Sequence, residues 1–177
     1  YSYEDFIVGY RPTGNGFELE YGPFYKFCKQ AEKDDKPYFF IIDEINRGNV
    51  SKILGELLML IEGDKRGEAL KLLYTKEEFT VPSNVYIIGM MNTADRSLAI
   101  IDYALRRRFA FYDVRPAFNN ETFIELANKK ESDTLNHLIS YVKMLNDDIR
   151  KDDSLGKGFE VGHSYFCTSA DTIIDDR

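Results

Sequence analysis

Two uninterrupted apolar runs dominate the hydrophobic pattern of this chain, and each is followed directly by polar residues. The first covers residues 39–42 and the second residues 85–91. Runs of this length with β-branched and aromatic members are typical of parallel strands buried on both faces of a sheet. Polar groups that follow such strands lie at the carboxyl edge of the sheet, where open α/β folds place their ligands. The pattern therefore predicts an α/β fold with a candidate site at two strand ends.

Helical periodicity surrounds these two strands. Apolar residues recur at helical spacing over residues 23–33, and a wide apolar face runs through residues 50–62, with Asn49 or Ser51 as the predicted cap. Residues 1–22 are predicted to be irregular because turn formers fill residues 11–16. The remaining predicted elements are a hairpin (70–74 and 79–81), a helix (98–108), a strand (109–114) and two amphipathic helices (121–130 and 133–150).

This order of elements predicts two regions in a chain of 177 residues. We expect an α/β core over residues 1–117 and a helical region over residues 118–177, because strand-like patterns stop near residues 115–120. The two glycines of residues 14–16 do not form a phosphate loop, since no apolar strand precedes them and no Gly-Lys-Ser/Thr follows.

Composition narrows the functional class only a little. The net charge of −7 argues against a generally basic nucleic-acid surface. Cys28 and Cys167 are too few and too distant to indicate a disulfide framework or a zinc site. No apolar run reaches the roughly 18 residues that span a bilayer, so no membrane segment is expected. The polar, aromatic start without Met has no signal peptide character, so we expect a cytoplasmic chain cut from something longer.

The first strand end carries two carboxylates, Asp43 and Glu44. A carboxylate directly after a buried strand suits a hydrated Mg²⁺ ion, and a second one suits a water that attacks a phosphate. The alternative interpretation is a strand followed by an ordinary polar turn. Arg47, close behind, is either a solvated charge or a residue with a phosphate or intersubunit role.

The second strand end offers Asn92, and an arginine cluster, 106–108, follows it. An asparagine amide donates a hydrogen bond to a phosphate oxygen or an attacking water. Arginine placed against a transferring phosphoryl group contributes about 10³- to 10⁵-fold in rate. The alternatives are that Asn92 caps the next helix and that the arginines complement a helix dipole.

Longer tracts around these residues resemble one family. IIDEINRGN, GELLMLIE, YIIGMMNTADRSLAIIDYALRRRFAF and GKGFEVGHSYF are together similar to the AAA+ GTPase subunit of methylcytosine-dependent restriction systems, the McrB family. The resemblance runs from Tyr1 to about Cys167, and MNTADRS, residues 91–97, is its most specific part. It implies a partial AAA+ P-loop NTPase fold, a parallel sheet with flanking helices, followed by a small helical lid.

The resemblance implies roles for residues at both strand ends. Asp43 is similar to the Walker B residue of the magnesium site, and Glu44 to the catalytic base or water-positioning carboxylate. Asn92 matches the first sensor, and Asp95 and Arg96 complete the signature around the phosphates or across a subunit boundary. Further along, Arg107 and Arg108 lie in the arginine-finger region, and any of 106–108 is open as the residue that acts in trans. Gly162, His163, Ser164 and Tyr165 lie near the place of a second sensor.

The family's cofactors and partners follow as expectations. They are GTP with Mg²⁺, a homo-oligomeric ring of six subunits, a McrC-like endonuclease subunit, and DNA bound through the parent complex. The residues themselves give neither guanine preference nor ring size. The alternative is a non-catalytic AAA+-like module that acts through protein–protein contacts. The hairpin predicted over residues 70–81 either packs on the sheet or serves as a DNA-contacting loop.

One departure from the family pattern matters. No Gly-x-x-x-x-Gly-Lys-Ser/Thr occurs in the 177 residues, although that loop provides much of the nucleotide grip in such proteins. In AAA+ folds the strand that carries it lies beside the second apolar run. We therefore expect an open edge or a gap there, and we expect the chain alone to hydrolyse no nucleotide.

Overall fold

The computed structural model describes residues 1–94 and 103–167. The chain divides into two compact units, the first over Tyr1–Phe111 and the second beginning at Tyr112. No helix in these two ranges is long and apolar enough to cross a bilayer. The division of the α/β core from the lid at residue 117 stays a prediction.

The strands of the first unit form three two-stranded sheets within the described ranges. Their bounds are β1 (Val8–Thr13), β2 (Gly16–Tyr21), β3 (Tyr38–Ile42), β4 (Ala69–Lys71), β5 (Glu78–Thr80) and β6 (Val85–Gly89). β1 pairs with β2 and β4 with β5, both antiparallel. β3 and β6 run parallel, with Tyr38 opposite Val85 and Ile42 opposite Gly89. The two apolar runs of the sequence are therefore neighbouring parallel strands, as predicted.

Helices of both units are short except for the last one. The first unit contains α1 (Tyr3–Phe6), α2 (Pro23–Ala31), α3 (Val50–Leu54) and α4 (Tyr103–Arg106), with single 3-10 turns at Ile45–Arg47, Gly55–Leu58 and Gly63–Lys65. The second unit contains α5 (Glu121–Asn128) and α6 (Asp133–Lys151), with 3-10 turns at Lys157–Phe159 and His163–Phe166. The helices predicted over 23–33, 121–130 and 133–150 are confirmed, as is the hairpin predicted within residues 70–81.

The prediction that residues 1–22 are irregular was wrong. Ser2 caps α1 by accepting a hydrogen bond from the Asp5 amide, and Asp5 accepts one from the Ser2 amide in return. β1 and β2 then form a hairpin whose register closes at Thr13 and Gly16. Gly16 adopts a φ of +137°, which suits glycine at this turn. The glycines that resembled a phosphate loop are therefore part of a hairpin turn.

The helix predicted over residues 50–62 is interrupted. Asn49 caps α3 by accepting a hydrogen bond from the Lys52 amide at 2.9 Å. Gly55 adopts a φ of +55°, a conformation that ends a regular helix, and the chain continues as a 3-10 turn. The apolar face survives this break, since Leu54, Leu57 and Leu60 are all buried. Periodicity alone does not reveal the interruption because the buried positions keep helical spacing.

The prediction that both apolar runs are buried on both faces was also wrong. One face of the β3–β6 pair packs on the core of the first unit, through Tyr38, Phe40, Ile42, Val85 and Ile87. The opposite face is exposed: Phe39 at 56%, Ile41 at 59%, Tyr86 at 51% and Ile88 at 43%. We call these the covered face and the open face. The outer edge of β6 carries no strand among the described residues, and the open edge of the whole chain stays a prediction.

The strand predicted over residues 109–114 is absent. This segment is irregular, and Phe111, Tyr112 and Val114 are each more than half exposed. A strand needs a partner for its backbone hydrogen bonds, and no partner for this segment exists within the described residues. The local composition favours a strand, but without a partner strand among the described residues the segment stays irregular.

Each unit has its own core. In the first, α2 lies against the covered face, where the rings of Phe24 and Phe27 meet Phe40 at 5.1 and 5.0 Å between centroids. Cys28, on the same helix, is fully buried. In the second unit, α5 and α6 enclose a smaller core of Phe118, Phe123, Ala127, Leu135 and Ile139.

Candidate functional site

The candidate site lies where β3 and β6 end side by side. The chain leaves β3 at Ile42 and turns back at once, so that the Ile45 amide donates a hydrogen bond to the Met90 carbonyl at 2.9 Å. The Met90 amide in turn donates to Ile42 at 2.8 Å. A Cβ atom at Gly89 would lie 2.7 Å from Cδ1 of Ile45, so a larger residue at position 89 would require the Ile45 side chain to shift. The turn after the first strand is thus fastened to the end of the second.

The two carboxylates lie on this turn and face solvent. Oδ1 of Asp43 accepts a hydrogen bond from the Glu44 amide at 2.9 Å. Glu44 has a φ of +51° and a ψ of +45°, a left-handed conformation that is uncommon for residues other than glycine. Such conformations are concentrated at functional sites, where surrounding structure imposes them. Here the turn places successive carboxylates at the strand end.

Arg47 lies beside the second carboxylate. Its Nε lies 2.8 Å from Oε2 of Glu44, and both side chains are about half exposed. A cavity of about 230 Å³ adjoins this pair, smaller than the range of about 300–1,000 Å³ typical of ligand sites. Asp43 and Glu44 line it together with apolar side chains, including Phe6 and Ile53.

Asn92 follows β6 on the same edge and is exposed. Its Oδ1 accepts a hydrogen bond from the Ala94 amide at 3.0 Å, so the side chain organises its own turn and leaves the amide nitrogen to donate elsewhere. Asp43 stands one residue past the Ile42–Gly89 pair, and Asn92 three residues past it on the other strand. Asp95 and Arg96, the other predicted signature residues, lie outside the described residues.

The donor set at this edge suits Mg²⁺ bound together with phosphates. No cluster of three or more His, Cys, Asp or Glu side chains within the described part of the chain has the geometry of a metal site. Mg²⁺ is commonly held by one or two carboxylates, its waters and substrate phosphates. Asp43, exposed at a strand end, is a carboxylate that could bind such an ion. The side chains present therefore fit an ion that arrives with a nucleotide.

The predicted arginine cluster lies at the end of α4, and its three side chains differ in exposure and in contacts. Arg106 and Arg107 are exposed, whereas only 8% of the Arg108 side chain is accessible. Nη2 of Arg108 lies 2.5 Å from Oε1 of Glu62, and Nη1 donates to the Ala104 carbonyl at 2.6 Å. Nη2 of Arg107 lies 3.6 Å from the same Glu62 oxygen.

The residues predicted near a second sensor lie at the surface of the second unit, where they are half-buried or exposed. Nδ1 of His163 accepts a hydrogen bond from the Ala117 amide at 3.1 Å, and its ring packs edge-on against Phe123 at 5.6 Å. Tyr165 is 80% exposed. His163 thus stabilises this unit, and a sensor role for residues 162–165 stays a prediction.

Two residues of the first unit were missed by sequence reasoning. Glu62 ends the broken helical segment and pairs with arginines 45 or more residues away, a separation that no local motif reveals. Asn46 follows the acid pair and is buried, and its Oδ1 has no hydrogen-bond partner in the part of the chain that the structure describes. The tract IIDEINRGN contains it, but nothing in the residue pattern distinguishes a buried asparagine from an exposed one.

Comparison with known families gives two matches. The family described as AAA domain (dynein-related subfamily) matches residues 1–109. The family described as McrB, alpha-helical lid domain, matches residues 137–176. The first match contains both strand ends and the arginine cluster, and the second contains most of α6 and the residues that follow it.

Two relatives are similar over long stretches. The Type IV methyl-directed restriction enzyme EcoKMcrB subunit of Escherichia coli (strain K12) is 56% identical over 97% of this chain and 41% of its own length. The Type II restriction enzyme BsuMI component YdiS of Bacillus subtilis (strain 168) is 31% identical over 61% of this chain and 38% of its own length. The chain spans about two fifths of either relative.

Proposed function

Since this chain belongs to the AAA domain family, in its dynein-related subfamily, and carries an McrB-type lid, we propose that it is part of a GTP-hydrolysing motor subunit. That subunit would drive a partner endonuclease in the restriction of methylcytosine-containing DNA. Similarity to a subunit of one restriction enzyme and a component of another supports the restriction role.

The observation that carries the proposal is the meeting of two strand ends. Asp43 and Glu44 follow β3, and Asn92 follows its parallel neighbour β6. The backbone hydrogen bonds of Met90 to Ile42 and to Ile45 hold the two ends together. An acid pair and an asparagine on one sheet edge are the groups that phosphoryl transfer to water requires. An ordinary polar turn has no need for all three.

Each residue then has a role that its chemistry supports. Asp43 would hold the hydrated Mg²⁺, whose charge offsets that of the β- and γ-phosphates. Glu44 would accept a proton from the attacking water, and Asn92 would orient that water or a phosphate oxygen through its amide nitrogen. Asp95 and Arg96 would complete the site around the phosphates. GTP rather than ATP follows from the resemblance and from no residue of this chain.

The remaining parts of the proposal concern assembly. Arg107 and Arg108 would belong to a region that serves the nucleotide of a neighbouring subunit in a six-membered ring. A McrC-like subunit would supply the nuclease, and DNA would be bound by the complex as a whole. Because the cavity at the acid pair is small and this chain contains no phosphate loop, the loop would come from elsewhere in the full-length protein.

A second candidate applies to the 177 residues by themselves. The exposed apolar side chains of the open face favour a role in protein–protein contact, so a non-catalytic docking module is the alternative. Calorimetric titration of the isolated chain with Mg²⁺ and GTP bears on it: we expect no micromolar binding, since the phosphate loop is absent. Tight binding by the chain alone would contradict our assignment of the nucleotide grip to other segments.

The proposed activity is tested by Glu44→Gln in the full-length protein. We expect GTP hydrolysis to fall by roughly 10²- to 10⁴-fold because the attacking water loses its proton acceptor. GTP binding should persist, since the variant keeps the size of the side chain. Glu68→Gln is the matched control: Glu68 is an exposed carboxylate paired with Lys65 at 3.0 Å, away from the strand ends. Hydrolysis by Glu44→Gln equal to that of this control would refute the proposal.

A further inference from the structure

The three consecutive arginines at the end of α4 have unequal surroundings. The side chain of Arg107 is 60% exposed, whereas that of Arg108 is 8% exposed. Arg106 is the last residue of α4, and Arg107 and Arg108 follow it in a turn in which the Arg108 amide donates a hydrogen bond to the Leu105 carbonyl at 2.9 Å. One of the two side chains faces the core there, and the other faces solvent. Three side chains that are identical in the sequence therefore differ in the fold: that of Arg108 is buried, and those of Arg106 and Arg107 are exposed.

Arg108 is bound inside its own unit. Its two terminal nitrogens contact Glu62 at 2.5 Å and the Ala104 carbonyl at 2.6 Å, while its Nε is buried and has no hydrogen-bond partner among the described residues. A buried guanidinium is costly unless a carboxylate neutralises it. Reaching outward would break both contacts, so Arg108 is unsuited to contact a neighbouring molecule.

Glu62 lies between this inner arginine and the exposed one. The same Oε1 atom that contacts Arg108 lies 3.6 Å from Nη2 of Arg107. Glu62 is itself only 29% exposed and follows the buried residue Ile61. A carboxylate held by packing at this point both fixes the end of α4 and limits the orientations open to the guanidinium of Arg107.

We propose that Glu62 is a positioning residue for the arginine supplied in trans: it anchors Arg108 and thereby directs Arg107 toward the nucleotide of a neighbouring subunit. This inference rests on the proposed function. It assigns different roles to adjacent arginines, with Arg107 contacting the phosphates and Arg108 holding the helix end. A misplacement of about 1 Å at a reacting group costs on the order of 10²-fold in rate, so orientation through Glu62 has a measurable effect.

The test uses the full-length protein with Glu62→Gln, which keeps the shape of the side chain and removes its charge. We expect kcat for GTP hydrolysis to fall by roughly 10- to 100-fold. KM should stay near the wild-type value, since the subunit's own nucleotide contacts are intact. Glu68→Gln, which removes a carboxylate from an exposed pair with Lys65, should leave both constants unchanged. A kcat for Glu62→Gln equal to that control would overturn the inference.

Mixing subunits separates a positioning role from general damage. Glu44→Gln subunits lack hydrolysis at their own site but keep a normal Arg107, so they should restore hydrolysis when mixed with Glu62→Gln subunits. Arg107→Ala subunits should not restore it, because both members of that mixture are defective arginine donors. Failure of Glu44→Gln to rescue Glu62→Gln, while it rescues Arg107→Ala, would overturn the inference.

Misfolding is controlled by a second variant. Glu62→Gln leaves Arg108 buried without its counter-charge, whereas Glu62→Gln/Arg108→Gln leaves neither charge. If the two residues act through one another, the double variant should be no slower than the slower single variant. Additive losses would mean that Arg108 contacts the nucleotide directly and would overturn the inference. Full hydrolysis by Arg107→Ala would instead refute the arginine in trans, and with it that part of the proposed function.

Discussion

The covered and open faces of the β3–β6 pair are built from similar residues and meet different surroundings. Phe40 and Ile42 face inward, and Phe39 and Ile41, which alternate with them, face solvent. Parallel strands in α/β proteins are normally covered on both faces. The difference teaches that composition reflects the environment a parallel strand usually has, with a packed layer on each face. The described residues of this chain supply a layer on one face only.

Thiol labelling gives the largest expected contrast. Cys28 lies on α2 beneath the covered face and is fully buried, whereas Cys167 in the second unit is exposed. Cys28 reacts only when the unit opens, so its labelling should be at least about 10³-fold slower than that of Cys167. Mass spectrometry after timed exposure to an alkylating reagent measures both rates. Comparable rates would show that the layer under the covered face is not closed.

Paired substitutions compare the faces directly. Phe40→Ala removes a ring that contacts Phe24 and Phe27, and we expect a loss of about 3–5 kcal/mol in the free energy of unfolding. Phe39→Ala removes an exposed ring stacked on Tyr86 at 5.4 Å, and we expect a loss of about 1 kcal/mol. Urea unfolding of the 177-residue chain measures both. Equal losses in the two variants would contradict the distinction between the covered face and the open face.

Alkaline pH should lower the free energy of unfolding through Cys28, which lies beneath the covered face. Burial raises the pKa of the Cys28 thiol from 9.0 to about 12. Because folding favours the neutral thiol, the contribution of Cys28 to the free energy of unfolding is complete below pH 9. It is lost as pH rises from 9 toward 12. The free energy of unfolding should therefore fall by about 1.4 kcal/mol per pH unit above 9. Cys28→Ala should lack this component, and an unchanged slope in that variant would contradict the assignment.

A charge on the open face should have the smallest effect. Ile41→Lys places an ammonium group where the native side chain is 59% exposed, so the isolated chain should change in stability by no more than about 0.5 kcal/mol. Binding of a hydrophobic dye should decrease, because the apolar patch is interrupted. A loss of several kcal/mol would show that the open face is covered in solution, by a second copy or by another segment.

The sequence predicted the elements that depend on local pattern and on the resemblance. The parallel strands, α2, α5, α6 and the hairpin of β4 and β5 all follow from periodicity and turn residues. The β1–β2 hairpin was missed because its residues alternate weakly and much of it is exposed. The strand at 109–114 failed for a different reason, since strand formation depends on a neighbour that local composition cannot supply.

The candidate site likewise combines residues that the sequence predicted with features that it did not. Asp43, Glu44 and Asn92 were predicted because each follows an apolar run, and strand ends are visible in a sequence. The left-handed backbone of Glu44, the burial of Asn46 and the pairing of Glu62 with Arg108 depend on distant packing. These features have no local spacing, so only the folded chain reveals them.

The most direct test of the central claim is an experimental structure of the full-length protein with Mg²⁺ and a non-hydrolysable GTP analogue. The account predicts Mg²⁺ at the ends of β3 and β6, held by Asp43 directly or through water. It also predicts a water beside the terminal phosphate within hydrogen-bond reach of Glu44 and Asn92. A nucleotide bound with its phosphates away from these strand ends would contradict the account.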